Sequence, residues 1–184
     1  MRRIASVVAA GALMAIPAAA QEKVPGGGIV YGEQAGAIVS APRGWVYDPT
    51  AGSGQGLRAV MYPEGSTWKD STRVMYVNVV RLKEGQAAAA FIADDDARFK
   101  KESPDLTIGT GEPIVQAVGG VRAEMRLYTT DATPTYEAVA YASTGSSVAI
   151  YVLSCKTKRD FETTLPVFRE VVANSYLVKE VPAK

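Results

Sequence analysis

The sequence contains no histidine and only one cysteine, Cys155, among its 184 residues. Histidine is the commonest general base and transition-metal ligand in proteins, so its absence argues against both kinds of site. A single cysteine excludes an intramolecular disulfide, a cysteine-rich zinc site and an iron–sulfur cluster. We therefore predict that the protein has no catalytic residue of these types, no metal site and no cofactor.

The chain also lacks an excess of charge of either sign, with 20 basic and 19 acidic residues and a formal net charge of +1. Proteins that bind nucleic acids or anionic membranes carry a basic patch, which this composition does not supply. We expect no nucleic-acid partner. Beyond the N-terminus, no apolar run approaches the length needed to cross a bilayer.

The N-terminus has the pattern of a secretory signal peptide. Arg2 and Arg3 precede an apolar stretch over residues 4–16, and the small residues Ala18–Ala20 follow. A charged start, a short apolar segment and an Ala-x-Ala site are typical of a cleaved export signal. We predict a signal peptide over residues 1–20, with the mature chain beginning at Gln21. No cysteine stands at the cleavage point, so we expect a periplasmic or secreted protein without a lipid anchor.

The mature chain has the size of one domain with a proper core. Residues 21–34 contain Pro25 and several glycines and are predicted to be a flexible lead-in, and residues 35–184 a single α+β domain. Runs of β-branched and bulky residues predict strands in the domain. These strands are Ala37–Ser40, Leu57–Tyr62, Arg73–Leu82, Thr107–Ala117, Val121–Thr129, Thr135–Ala142 and Ser147–Ser154.

Two segments have helical spacing. Residues Gln86–Glu102 repeat apolar side chains on one face and end before Pro104. The second segment, from Phe161 to Val172, has Pro166 inside its apolar stripe, so we expect two helical pieces there. Short glycine-containing connections predict hairpins, and several strands are apolar on both faces. The sequence therefore predicts an α+β fold, a three-layer α-β-α sandwich with a mainly antiparallel sheet.

The segment Ala41–Trp45 and the C-terminal pattern of Tyr136–Ala138, Phe161–Glu162, Leu165–Phe168 and Ser175–Tyr176 resemble the PsbP-like family. The similarity extends over most of residues 35–178. This fold group includes photosystem II extrinsic proteins, a Ran-binding import factor, periplasmic DcrB-type lipoproteins and chaperones of secreted effectors. The resemblance implies a non-catalytic binding or accessory role, by analogy of fold.

Three aromatic residues in or beside N-terminal loops, Tyr47, Tyr62 and Trp68, are the candidates for partner binding. Exposed aromatic side chains often anchor protein partners. The alternative is that they fold back over the core.

Asp95 lies within the apolar face of the first predicted helix. A carboxylate there needs a partner, and we expect an arginine from the sheet: Arg126, Arg122 or Arg73. A functional carboxylate in a pocket is the alternative. The neighbouring run Asp94–Asp96 does not predict a metal site, because consecutive helical side chains point about 100° apart.

These observations favour an exported, non-catalytic binding or accessory protein of the bacterial cell envelope, with a protein partner there. Whether it is an enzyme stays open. The alternatives are a hydrolase that uses carboxylates, which are its only plentiful acid–base groups, and a carrier of a small ligand or metal. A pocket with paired carboxylates would favour the enzyme, and a shallow aromatic patch would favour a partner protein. The oligomeric state is not predicted.

Overall fold

The computed structural model describes residues 26–130 and 135–179. Its main sheet has seven strands in the order β3-β4-β5-β9-β8-β7-β6, and neighbouring strands in this part of the chain are antiparallel. The strands are β3 (Trp45–Asp48), β4 (Val60–Pro63), β5 (Arg73–Arg81), β6 (Thr107–Val115), β7 (Arg122–Thr130), β8 (Thr135–Ser143) and β9 (Ser147–Cys155). The predicted strands from Arg73 onward are confirmed to within about two residues.

A second sheet of three antiparallel strands joins the two ends of the domain. Its strands are β1 (Gly27–Tyr31), β2 (Ala35–Ser40) and β10 (Tyr176–Lys179), in the order β1-β2-β10. β1 lies within residues 21–34, where we predicted a flexible lead-in, and it pairs with β2 along its whole length. Its glycines and short length conceal it in the sequence. The predicted signal peptide and cleavage site lie outside the described residues.

The two helices are α1 (Ala88–Glu102) and α2 (Lys158–Asn174). Thr157 caps α2, because its side chain accepts a hydrogen bond from the backbone of Asp160. The expected break at Pro166 is wrong, since α2 continues through it. Proline removes the hydrogen bond to the carbonyl of Glu162, four residues earlier. Both residues are exposed, so water can reach that carbonyl.

The helices cover opposite faces of the seven-stranded sheet, which confirms the α+β fold and the three-layer arrangement. On one face, α2 and the small sheet enclose a large apolar core that includes Met61, Leu153 and Phe168. On the other face, α1 packs over a smaller cluster that includes Leu82, Tyr128 and Tyr141. We call these the α2 face and the α1 face. Side chains alternate between them along each strand.

One edge of the large sheet, β6, is interrupted by a β-bulge between Gly111 and Ile114. Arg169 of α2 reaches over this bulge. Its guanidinium donates hydrogen bonds to the carbonyl oxygens of Glu112, at 2.7 Å, and Pro113, at 3.3 Å. The bulge is thus tied to the helix that covers the neighbouring face.

Candidate functional site

Hydrogen bonds to buried tyrosines fasten α1 to the sheet. The hydroxyl of Tyr141, on β8, donates to Asp95 at 2.7 Å, and that of Tyr128, on β7, donates to Asp96 at 2.6 Å. Arg126 also donates to Asp96, at 3.0 Å. The two carboxylates of α1 therefore accept bonds from two adjacent strands, which fixes the position of the helix.

Asp95 has a different partner from the one expected. Its carboxylate pairs with Arg98, one turn along the same helix, and with the Tyr141 hydroxyl. Arg126 pairs instead with Asp96. The expected pair of Asp95 with a sheet arginine is therefore wrong. The helix is rotated relative to the expectation, so that Asp96 and not Asp95 faces Arg126. Side chains at neighbouring helical positions point about 100° apart, so a shift of one residue is enough to exchange the partner.

The two phenol oxygens lie 3.1 Å apart. Each hydroxyl has one proton, and when both protons go to the carboxylates neither is left for the other tyrosine. Burial, aided by the hydrogen bonds to Asp95 and Asp96, raises the pKa of both phenols above the usual value. The tyrosines therefore act as neutral donors at ordinary pH.

The helix leaves part of this face open. α1 follows β5 and precedes β6, so it crosses from the third strand of the sheet to the far edge. Its tyrosine bonds hold it over β7 and β8. On β5 and β9, the side chains of Tyr76, Asn78, Val80 and Ile150 are only partly buried. We call this opening the α1 groove.

The α1 groove consists of two adjoining cavities that share the residues Asn78, Asp95, Arg98 and Ile150. The larger, of about 480 Å³, is further lined by Val80, Arg81, Lys83, Gln86, Phe91 and Asp94. The smaller, of about 290 Å³, is further lined by Leu57, Tyr76, Phe99, Glu137, Val139 and Val152. Strand side chains form the floor, and most of them are apolar, with Asn78 and Glu137 as polar exceptions; the other charged groups lie mainly along the border with α1. The groove therefore offers both an apolar contact area and polar groups that can orient a ligand.

Glu137 is a partly buried carboxylate that lines the smaller cavity. It lies on β8, opposite Tyr128 of β7 and Ser154 of β9. None of the ion pairs found among residues 26–130 and 135–179 includes Glu137. Burial raises the pKa of its carboxyl group, and a hydrogen bond with Ser154 opposes this rise.

The three candidate aromatic residues do not form one patch. Strand register places Val46 opposite Tyr62 and Tyr47 opposite Met61, so Tyr47 and Tyr62 point to opposite faces. Tyr47 lies on the α2 face, where its hydroxyl would be 2.7 Å from a Cβ atom at Gly28. A glycine at this position therefore lets the ring lie directly against β1. All three side chains are half-buried.

Trp68 is the candidate that meets the α1 groove. It lies in the turn after β4 and packs edge-on against Tyr76, with 6.3 Å between ring centroids. Tyr62 is on the same face, where its hydroxyl donates to Asp48 at 2.9 Å. The structure thus brings Trp68 and Tyr62 to the α1 face and leaves Tyr47 apart, and the binding role of all three stays a prediction.

Other sequence features have simpler places in the fold. Cys155 is buried in the core of the α2 face, and burial raises the pKa of its thiol to about 12. Across the described residues, no group of three or more acidic or cysteine side chains is arranged to hold a metal ion. No helix in the same ranges is long and apolar enough to span a membrane.

Sequence reasoning missed Glu137, Tyr76 and Arg98 as site residues. One signal was present, because Glu137 is a carboxylate within the apolar run Tyr136–Ala142. Such a residue in a central strand points to a buried polar site. Tyr76 gave no signal, since an aromatic residue in a strand is ordinary.

The fold is that of the PsbP-like group, which confirms the resemblance at the level of the fold. Cyanobacterial PsbP (CyanoP) from Synechocystis sp. PCC 6803 is similar with a TM-score of 0.53 and 12% sequence identity, over 77% of this chain and 86% of that one. The Ran-binding protein Mog1p of Saccharomyces cerevisiae is similar with a TM-score of 0.47 and 8% identity, over 83% and 96% of the two chains. No protein-family model and no curated protein matches the sequence.

Proposed function

We propose that this protein is an exported, non-catalytic binding or accessory protein of the bacterial cell envelope, and that it binds a protein partner in the α1 groove. The observation that carries the proposal is the strip of sheet beside α1, where Tyr76, Val80 and Ile150 are only partly covered. In the α2 layer, by contrast, the same strands are closed by a helix and a second sheet.

The groove has the composition of a partner site. Most side chains of its floor are apolar or aromatic, and the exposed Arg81, Arg98 and Asp94 lie at its edge. Protein interfaces typically have an apolar centre and a polar rim. Trp68 extends the aromatic surface through its contact with Tyr76. The analogy with the PsbP-like group supports the same class of function.

Asp95, the carboxylate shared by both cavities of the groove, has a structural role. Both oxygens of Asp95 are engaged, one by Arg98 and the other by Tyr141. The sequence has no histidine to serve as a base, and burial holds the Cys155 thiol in its neutral form. Binding therefore accounts for these residues better than nucleophilic chemistry does.

Export is part of the proposal and rests on the signal-peptide pattern of residues 1–20. When the full-length gene is expressed in its native host, we expect the mature chain to begin at Gln21 and to have no lipid. Intact-mass measurement of the exported protein tests this. Retention of residues 1–20, or an added lipid mass, would contradict it.

Site-specific crosslinking tests the groove. A photo-crosslinking amino acid at Ile150, in the groove, is expected to give a discrete adduct with an envelope protein in living cells. The same amino acid at Val115, which is 61% exposed on β6, is the matched control and should give none. Equal products at both positions, or no product at Ile150, would overturn the proposal.

A carboxylate hydrolase is the second candidate, because Asp95 and Glu137 both line the smaller cavity. One is ion-paired and the other desolvated, and unequal environments of this kind separate a base from an acid in hydrolases. Purified mature protein can be tested on panels of ester and glycoside substrates. Turnover that Glu137→Gln abolishes would replace the binding proposal.

A further inference from the structure

The smaller cavity of the α1 groove contains a partly buried carboxylate, and most of its other lining residues are apolar or aromatic. Tyr76, Val152 and Val139 follow one another across β5, β9 and β8 on the floor, and Leu57 and Phe99 also line the cavity. The Glu137 carboxylate also lines it, with no cationic partner among the ion pairs of residues 26–130 and 135–179. A charged group removed from water in this way is costly unless an opposite charge reaches it.

The charges around the cavity leave one negative group uncompensated. Asp95 is neutralised by Arg98, with which it forms an ion pair. Glu137 has a hydrogen bond with Ser154 and takes part in none of the ion pairs of residues 26–130 and 135–179. A ligand that matches this cavity therefore brings one positive charge to Glu137 and an apolar stem to the surrounding side chains.

The size of the cavity indicates what kind of ligand that is. Small-molecule sites have volumes of roughly 300–1,000 Å³, and this cavity has about 290 Å³. It is continuous with the larger cavity through four shared lining residues. A single side chain in the smaller cavity, with the rest of the partner over the larger one, fits these volumes.

We propose that the smaller cavity receives a lysine side chain of the partner protein, with its ammonium group on the Glu137 carboxylate. The inference rests on the proposed binding function of the α1 groove. Lysine has a compact charge on a flexible four-carbon stem, whereas arginine carries a wide planar group. Its methylenes contact Val139, Val152 and the two aromatic rings, and the rings favour a nearby cation.

The first test uses blocked single amino acids as probes. N-acetyl-lysine-methylamide is titrated into the mature protein and the methyl signals of Val139, Val152 and Ile150 are followed by NMR. N-acetyl-norleucine-methylamide, which has the stem without the ammonium, is the control ligand. We expect the lysine probe to shift these signals and to bind at least tenfold more tightly than the norleucine probe. Equal binding of the two probes would overturn the inference.

Variants of Glu137 make the test specific. Glu137→Gln keeps the shape and removes the charge, so the preference for the lysine probe should disappear. Glu137→Asp keeps the charge and should retain part of the preference for the lysine probe. Glu112→Gln, at an exposed position on β6, is the matched control and should bind as the unaltered protein does. A preference for lysine that survives Glu137→Gln would place the cation elsewhere and contradict the inference.

The crosslinking assay separates this inference from the function on which it rests. With the crosslinker at Ile150, Glu137→Gln should lower the yield of the adduct at least severalfold while Glu112→Gln leaves it unchanged. If the adduct forms equally well in Glu137→Gln, the groove binds its partner without the lysine and only the inference fails. If no adduct forms in the unaltered chain, the proposed function fails, and binding of the lysine probe would then identify a site for free amines.

Discussion

The two faces of the seven-stranded sheet are built from different chemistry. On the α2 face, the central strands present small side chains such as Ala138, Ala140 and Ala149, which are fully buried. These let Phe168 and Val172 of α2 approach closely. On the α1 face, β7 presents Tyr128 and β8 presents Tyr141, and the hydroxyls of both donate hydrogen bonds to carboxylates of α1.

The difference shows how the two faces of one sheet can have separate roles, with stability on the α2 face and the proposed binding on the α1 face. Small residues let the helix lie close to the strands, and the stability of this interface comes mainly from close apolar packing, with Gln116 and Tyr151 as a buried polar pair. Large tyrosines hold the other helix away from the strands and fasten it by a few directed bonds. The second arrangement covers the sheet incompletely, and the α1 groove is the space that remains.

The largest expected effect comes from the α2 face. Phe168→Ala removes a side chain that is 1% exposed, and we expect the free energy of unfolding to fall by about 3–5 kcal/mol. Phe99→Ala, which truncates a half-buried ring on α1, should cost about half as much. Urea denaturation of the two variants measures the difference. Equal losses would show that the faces contribute alike.

Removal of a single hydroxyl from each face compares the contributions of individual hydrogen bonds to stability. Tyr141→Phe takes a donor from the Asp95 carboxylate, so we expect a loss of about 1.5–3 kcal/mol. Tyr151→Phe removes a hydroxyl that accepts a bond from Gln116 on the α2 face, and neutral bonds contribute about 0.5–1.5 kcal/mol. Thermal and urea unfolding of both variants provide the values. A larger loss for Tyr151→Phe would contradict the polar character assigned to the α1 face.

A double-mutant cycle tests which carboxylate Arg126 serves. Asp96→Asn and Arg126→Gln should be non-additive by about 1 kcal/mol, because both side chains are partly buried and hydrogen-bonded to each other. Asp95→Asn combined with Arg126→Gln should be additive within about 0.5 kcal/mol. Coupling to Asp95 in place of Asp96 would restore the pairing expected from the sequence.

The smallest effect is a pH dependence at the border of the α1 face. Asp48 accepts bonds from the backbone of Thr50 and Ala51 and from the Tyr62 hydroxyl, and the backbone bonds chiefly lower its pKa to about 2. Because the pKa of Asp48 in the folded protein lies below the ordinary value of 3.8, this stability is present above pH 3.8 and is lost as the pH falls towards 2.

Since Asp48 is close to the surface, we expect about 1 kcal/mol or less. Asp48→Asn should remove this part of the acid dependence, and Tyr62→Phe should leave most of it. The readout is the free energy of unfolding from urea titrations between pH 2 and pH 6. If Asp48→Asn retains the full acid dependence, other carboxylates are responsible.

Much of the fold was predictable because long strands and amphipathic helices have strong periodicity. β5, the hairpins from β6 to β9 and α1 were found on this basis. β1, β3 and β10 were missed because strands of four or five residues rich in glycine or placed beside turns carry little pattern. Pro166 was read as a break, since the sequence does not show that solvent compensates for the lost bond.

The site was less predictable, because it depends on which residues meet across the sheet. The sequence did identify Asp95 as a polar residue on an apolar helix face. It did not show that Arg98 and Tyr141 would satisfy Asp95 while Asp96 took the sheet arginine. A small rotation of α1 decides between these partners, and helical periodicity is too coarse to define that rotation.

The bulge on β6 has a consequence for how the protein behaves when crowded with copies of itself. An exposed edge strand can template intermolecular pairing and fibre growth. Here Arg169 occupies the carbonyl oxygens of Glu112 and Pro113, and the proline has no N–H to offer. A strand from another molecule would therefore not find the regular series of backbone donors and acceptors that pairing with β6 requires. We therefore expect the contact of Arg169 with the bulge to disfavour edge-to-edge association of copies of this protein.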